Sequence, residues 1–279
     1  MEQLLAMGYT MDNIEVQGFS AEDVGFWPDM FEWMYDRMWR GTTLRADESS
    51  QNVILTVPGM GRGVIVVGAH YDTLPYPGAS DNASGTALLL ESAMRLLGQE
   101  NYHTIVYVFF GAEEIGLLGA RYFVENLSRA RHDEIIMMIN ADVLFEGEFF
   151  FYGAGFDDSG QPGANAASRQ VGAIADRVRE THDLQLSSSP GAIFLPSDQL
   201  VFLGHGHTVV QLWGAHLVPA EDFHGGMILG EYGDYLKTTR VLHSPRDDFR
   251  YIEENWPGKM AAAMRTFSIF LEELILARY

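Results

Sequence analysis

The chain contains no cysteine. Disulfides, thiolate metal sites and cysteine nucleophiles are therefore excluded. Any bound metal must be held by His, Asp and Glu. That donor set suits Zn²⁺ or Mn²⁺ in an open catalytic site better than in a closed structural one. Positive charge is also scarce: 18 Lys and Arg stand against 38 Asp and Glu, a formal net charge of −20. A phosphate-backbone partner needs a basic face, so no nucleic-acid partner is expected. The plain reading of that charge is a solvated acidic surface. No uninterrupted run of about 20 apolar residues occurs, so neither a transmembrane helix nor a membrane partner is expected. The opening Met1-Glu2-Gln3 is not basic, and the apolar run after it is too short for a signal peptide. The expectation is a cytoplasmic protein, or a secreted one if a leader has been removed.

What is present is the composition of a globular protein, 47% hydrophobic and 20% charged over 279 residues. That length suits one large domain. Asn52 to Val57, Gly63 to Ala69, Thr104 to Phe110, Glu134 to Ala141, Phe149 to Tyr152 and Thr208 to Trp213 read as strands, several apolar on both faces. The turn Pro58 to Gly63 between the first two reads as hairpin-like. Asp81 to Leu97, a segment marked by Leu117, Leu118, Tyr122 and Phe123, Ala164 to Thr181 and Glu253 to Ala277 read as helices. The first of these has Asp81 or Asn82 near its N-cap. Residues 1–20 read as a helix end followed by a short strand around Ile14 to Val16. Residues 184–198 and 214–250 read as loops. The alternation predicts an α/β fold: a single domain with a mixed, mainly parallel, twisted sheet and helices on both faces.

Residues 26–39 are rich in aromatics. Met30, Phe31, Met34 and Met38 make a helical stripe, read as a core-facing helix or as an aromatic cap over a cleft or an oligomer contact.

The position of the polar groups carries the chemistry. Three predicted buried strands end on residues of metal-ligand type: His70, then Glu113-Glu114, then Asp142. Asp81 follows the first, in Gly78-Ala79-Ser80-Asp81-Asn82-Ala83-Ser84-Gly85. Open α/β sheets keep their sites at such strand ends. The hypothesis is a metal site in which Asp81 bridges two ions, with His243 closing the set.

These segments together resemble one family. His70-Tyr71-Asp72, Pro77 to Gly85, Glu113-Glu114-Ile115-Gly116-Leu117-Leu118-Gly119, Asn140-Ala141-Asp142 and His243-Ser244 look like the M28 zinc aminopeptidases over about residues 50 to 279. The resemblance implies a zinc-exopeptidase fold, phosphorylase/hydrolase-like. It also implies one peptidase domain over 1–279, with an aromatic-rich insertion at about 20–50. It implies two Zn²⁺ per chain: one held by His70 and Asp142, the other by Glu114 and His243, with Asp81 between them. Two ions roughly 3.5–4 Å apart need such a shared carboxylate. Glu113 is then the general base. Asp72 is expected to accept the second ring N–H of His70. A non-proline cis peptide at Asp81-Asn82 is implied as well.

Three positions depart from the family pattern. Gln199 follows Ser197-Asp198 where many members have His. Leu242 stands where some have an oxyanion-stabilising Tyr, leaving that task to Tyr235 or a metal. The aromatic segment is the third. His205 and His207 read as loop residues or as cleft lining.

The expected activity is removal of N-terminal residues from a peptide substrate through a metal-bridging water. The alternatives are a single-zinc glutaminyl cyclase-like acyltransferase, an M20-type carboxypeptidase or deacylase, and a non-catalytic receptor-like binding module. Oligomeric state is not legible.

Overall fold

The computed structural model describes residues 1–24, 49–147, 149–154, 166–188, 196–223, 227–232 and 234–279. The aromatic segment 26–39 lies outside these residues.

Helix α1 (Glu2–Met7) and strand β1 (Ile14–Ser20) open the chain. Strands β2 (Ser49–Val57), β3 (Val64–His70), β4 (Thr104–Phe110) and β5 (Ile135–Ala141) follow. Then come β6 (Phe149–Ala154), β7 (Leu186–Ser188), β8 (Val209–Pro219), β9 (Met227–Tyr232) and β10 (Tyr235–Thr239). They form one sheet in the order β1-β2-β4-β3-β5-β8-β10-β9, with β6 and β7 attached beside β8. The central run β4-β3-β5-β8 is parallel, and its two flanks are antiparallel. The sheet is therefore mixed, with the parallel part at its centre, where both faces are covered.

Helices α2 (Ser84–Leu96), α3 (Leu118–Glu125), α4 (Arg129–Glu134), α5 (Ala166–Thr181), α6 (Gln199–Gly204), α7 (Phe249–Asn255) and α8 (Lys259–Leu276) complete the described elements. Strand alternation sorts the core into two layers. Ile65, Val67 and Ala69 face one side with Ile105, Tyr107, Met137 and Ile139. They pack there against Leu88, Leu89 and Ala93 of α2 and against Phe267, Phe270 and Leu271 of α8. Val66, Val108, Phe110 and Met138 face the other side, against Phe123 and Val124 of α3 and Val201 and Phe202 of α6. The buried positions of α2 recur at three- and four-residue spacing, as a one-sided helix requires. No described helix is long and apolar enough to cross a membrane.

Several sequence expectations are corrected. The Pro58 to Gly63 turn is not a hairpin, because β4 lies between β2 and β3 and pairs with both. Residues 214–250 are not mainly loop. β8 runs on to Pro219 and β10 pairs with it, giving the sheet its second flank. The closing helix is two, α7 and α8, interrupted at Pro257 and at Gly258, whose φ is 77°. Asp81 lies outside α2, which begins at Ser84, and Asn82 accepts the Gly85 N–H at 2.9 Å. Residues 186–188 form β7 rather than loop.

Candidate metal centre

The parallel register brings the three strand ends level. His70 is the partner of Phe110, and Gly68 is the partner of Asn140. The chain therefore leaves β3, β4 and β5 at one rim, carrying His70, Glu113-Glu114 and Asp142 there. Four residues with positive φ other than glycine cluster at or near these exits: Ala112 (60°), Leu117 (57°), Val143 (54°) and His243 (53°). Such conformations persist where the surroundings over-determine them, and they concentrate at functional sites.

The Ser80 to Gly85 block is docked by its own small residues. Ser80 Oγ accepts the Phe145 N–H at 3.1 Å, and Ser84 Oγ accepts the Leu144 N–H at 3.0 Å. Asn82 Nδ2 donates to the Ala141 carbonyl at 2.9 Å. A Cβ at Gly85 would stand 2.2 Å from the Ala141 oxygen, so only glycine allows this approach. The Asp81-Asn82 peptide is cis. The contacts of Ser80, Asn82 and Ser84 present Asp81 to the strand ends.

Asp81 then faces two imidazoles at once. Its Oδ1 lies 3.1 Å from His70 Nε2, and its Oδ2 lies 3.1 Å from His243 Nε2. Asp142 Oδ1 is 3.2 Å from the same His70 nitrogen, and Glu114 Oε2 is 3.2 Å from the same His243 nitrogen. His70, Glu113 and Asp142 each offer a donor atom within 4.8 Å of the others, and so do Asp81, Glu114 and His243. All of these except the partly exposed His243 are buried.

Asp72 plays a different part from the one expected. The His70 Nδ1 meets the Asp72 backbone carbonyl at 3.1 Å, whereas the carboxylate is 3.7 Å away. The carboxylate oxygens instead accept the Glu113 and Glu114 N–H groups at 3.1 and 3.2 Å. Asp72 thus holds both the ring and the Glu pair.

The electrostatics describe a cage short of positive charge. Burial opposes a charged His70, yet Asp142 and Glu113 outweigh it and raise its pKa well above the ordinary value. Burial likewise opposes charge on His243, but hydrogen bonds to Asp81 and Glu114 push it up to about 10. Burial favours a protonated Asp81, but its bonds to His243 and His70 hold its carboxyl low. Glu113 is raised by burial and by the charges of Asp198, Glu114 and Asp142. Glu114 and Asp198 are raised too, burial being the main cause in each. Buried carboxylates crowded in this way call for a cation. Their oxygen and imidazole donors fit one of Zn²⁺ or Mn²⁺ type.

Gln199, His205, His207 and Tyr235 are not among the cage donors. Gln199 is buried and accepts the Asn140 Nδ2 at 2.8 Å, beside Ser197 at 3.0 Å, so its role is to hold the end of β5. His207 contacts His132 at 2.9 Å, at the amino-terminal ends of β5 and β8. His205 stacks on that same His132 ring. Both histidines are therefore at the opposite end of the parallel strands from the cage, and cleft lining is not their place. Tyr235 opens β10 and is exposed.

Two residues at the site escaped the sequence reading. Asp247 accepts the Ser80 and Asp81 N–H groups at 2.6 and 2.9 Å. Glu146 binds the segment just before His243. The only signal for Asp247 was its place four residues after His243. Glu146 had none.

Known proteins resemble this chain in sequence and in fold. Aminopeptidase YwaD of Bacillus subtilis (strain 168) is 40% identical over 82 residues, which is 29% of this chain and 18% of that protein. The crystal structure of BSAP, a zinc aminopeptidase from Bacillus subtilis, superimposes with a TM-score of 0.63 at 23% identity. It covers 84% of this chain and 52% of its own. A glutaminyl cyclase from an Acidobacteriales bacterium gives a TM-score of 0.66 at 18% identity, over 98% of this chain and 82% of its own. At these identities the two structures show a shared fold, and the chain spans about half the length of BSAP. The model for peptidase family M28 matches residues 52–268, from the first buried residues of β2 to the middle of α8. With the strand-end residues inside that span, the chain belongs to peptidase family M28.

Proposed function

We propose that this chain is a metal-dependent aminopeptidase holding two zinc ions, with residues 1–279 acting as one peptidase domain. The observation that carries the reading is Asp81, whose two oxygens each lie 3.1 Å from a different histidine Nε2. His70 and Asp142 would hold one ion and Glu114 and His243 the other, with Asp81 between them. Bound ions of this kind lower the pKa of a water and polarise a carbonyl.

The chain's own residues do the rest. Glu113 is the general base, taking the proton of the attacking water and delivering it to the leaving amine. Burial first and then neighbouring carboxylates raise its carboxyl, the direction that favours a proton acceptor. Asp72 orients the base through the Glu113 N–H and orients His70 through its backbone carbonyl. The acidic cage gives a free N-terminal ammonium a favourable field, which selects exopeptidase substrates.

The fold shared with a glutaminyl cyclase supports a second reading, a single-zinc acyltransferase. The arrangement of His70 with Asp142 on one side of Asp81 and His243 with Glu114 on the other favours the dinuclear hydrolase over it.

The test is hydrolysis of a panel of aminoacyl anilides by wild type and Glu113→Gln, with metal content measured on both. Loss of about 10²–10⁴-fold in rate with metal retained supports the base. One ion per chain, no hydrolysis and cyclisation of N-terminal Gln would transfer the chain to the cyclase reading.

A further inference from the structure

Glu146 lies four residues beyond Asp142, on the loop leaving β5, and is 1% exposed. A buried carboxylate is costly unless its oxygens are satisfied. Here one oxygen collects almost everything. Oε1 accepts the Val241 N–H at 2.8 Å, the Leu242 N–H at 3.1 Å and the Arg240 N–H at 3.2 Å, and it also accepts the Thr239 hydroxyl. Three consecutive N–H groups converging on one oxygen form an anion-binding nest. The nest ends one residue before His243, whose own φ is 53°.

The loop bearing Glu146 is itself fixed. Asp142 N–H donates to the Leu212 carbonyl at 3.0 Å, and Gly214 N–H donates to the Val143 carbonyl at 2.9 Å. At Gly147, with φ 70°, a Cβ would stand 2.2 Å from the Ala215 backbone, so the loop lies flat against β8. His243 follows β10, which pairs with the far half of β8. The two loops leave different strands, and Glu146 ties them together.

We propose that Glu146 is a positioning residue for the His243 half of the metal centre. It sets the turn from which His243 Nε2 reaches Asp81 and Glu114, and leaves the His70–Asp142 half untouched. This rests on the reading of His243 as a metal ligand. A residue that orients a ligand alters metal affinity at that ligand, so the expected effect is on one binding step and not both.

The experiment is a chelator-buffered Zn²⁺ titration of metal-free wild type, Glu146→Gln and Glu146→Ala, with circular dichroism to confirm the fold. Glu146→Gln keeps the side-chain shape and one acceptor oxygen, and so tests the charge alone. Wild type is expected to bind Zn²⁺ in two steps. In the variants one step weakens by about 10–100-fold and the other stays. Aminopeptidase activity returns as Zn²⁺ is raised, with KM unchanged. Equal weakening of both steps, unchanged affinities in a folded variant, or loss of fold in both variants would overturn the proposal. A wild type that binds fewer than two ions would overturn the dinuclear reading beneath it, and is distinguishable from these.

Discussion

The carboxylate of Asp247 accepts the backbone N–H of Asp81 at 2.9 Å, so a residue on the His243 loop holds in place the aspartate that faces both histidines. It also accepts the Ser80 N–H at 2.6 Å, and its own backbone carbonyl takes the Ala79 N–H. Burial pushes its carboxyl up to about 6. Asp247→Ala leaves two buried N–H groups without a partner and is expected to cost about 1–3 kcal/mol of stability. It should also lower Zn²⁺ affinity, because Asp81 loses its anchor. Chemical denaturation and metal titration of the same variant check both halves.

Gly85 stands against the Ala141 carbonyl, one residue before Asp142. Gly85→Ala must push α2 off β5, and an overpacked contact of this kind costs about 1–3 kcal/mol. The thermal midpoint should fall, and activity with it, since Asp81 and Asp142 sit on the two sides of the contact. A variant with unchanged midpoint and unchanged rate would show that the approach is looser than described.

Phe267 is fully buried in α8, with its ring 5.5 Å from that of Phe150, on the layer of core that carries α2. Phe267→Ala should destabilise the protein by about 3–5 kcal/mol. The folded fraction should keep wild-type Zn²⁺ stoichiometry, because the substitution removes no donor atom of the cage. Calorimetry and metal analysis separate the two effects.

Two histidines that are not cage donors set an acid limit. Burial, with His132 and His205 nearby, lowers His207 to about 4, and burial with Arg240 and Lys259 lowers His216 to about 4. Their unfolded values are about 6.5. Between these values the unfolded chain binds more protons than the folded one, so stability rises with pH across that window and is lost as pH falls through it. His207→Gln should flatten the slope of stability against pH between about 4 and 6.5. Denaturation midpoints at several pH values measure it.

The central fold and the cage were legible in the sequence for one reason. Strands buried on both faces make unbroken apolar runs, and a charged residue at the end of such a run is conspicuous. His70, Glu113, Glu114 and Asp142 stand out that way. The second flank was not legible. β9 and β10 are short, and Gly230, Glu231 and Lys237 interrupt their apolar residues, so they read as loop. Pro58 to Gly63 looked like a hairpin because sequence neighbours usually pair, and only the register shows β4 between the two strands. Asp72 was expected to orient His70 by its carboxylate, but the Glu113 and Glu114 N–H groups take those oxygens. Glu146 was invisible because most of its partners are backbone N–H groups, which every sequence has.

The most direct test of the dinuclear centre is a crystal structure of the zinc-loaded protein with anomalous data at the zinc edge. Two peaks about 3.5–4 Å apart are expected, one on each side of Asp81, the first against His70 and Asp142 and the second against Glu114 and His243. A single peak, or a pair of peaks that Asp81 does not share, would contradict that centre.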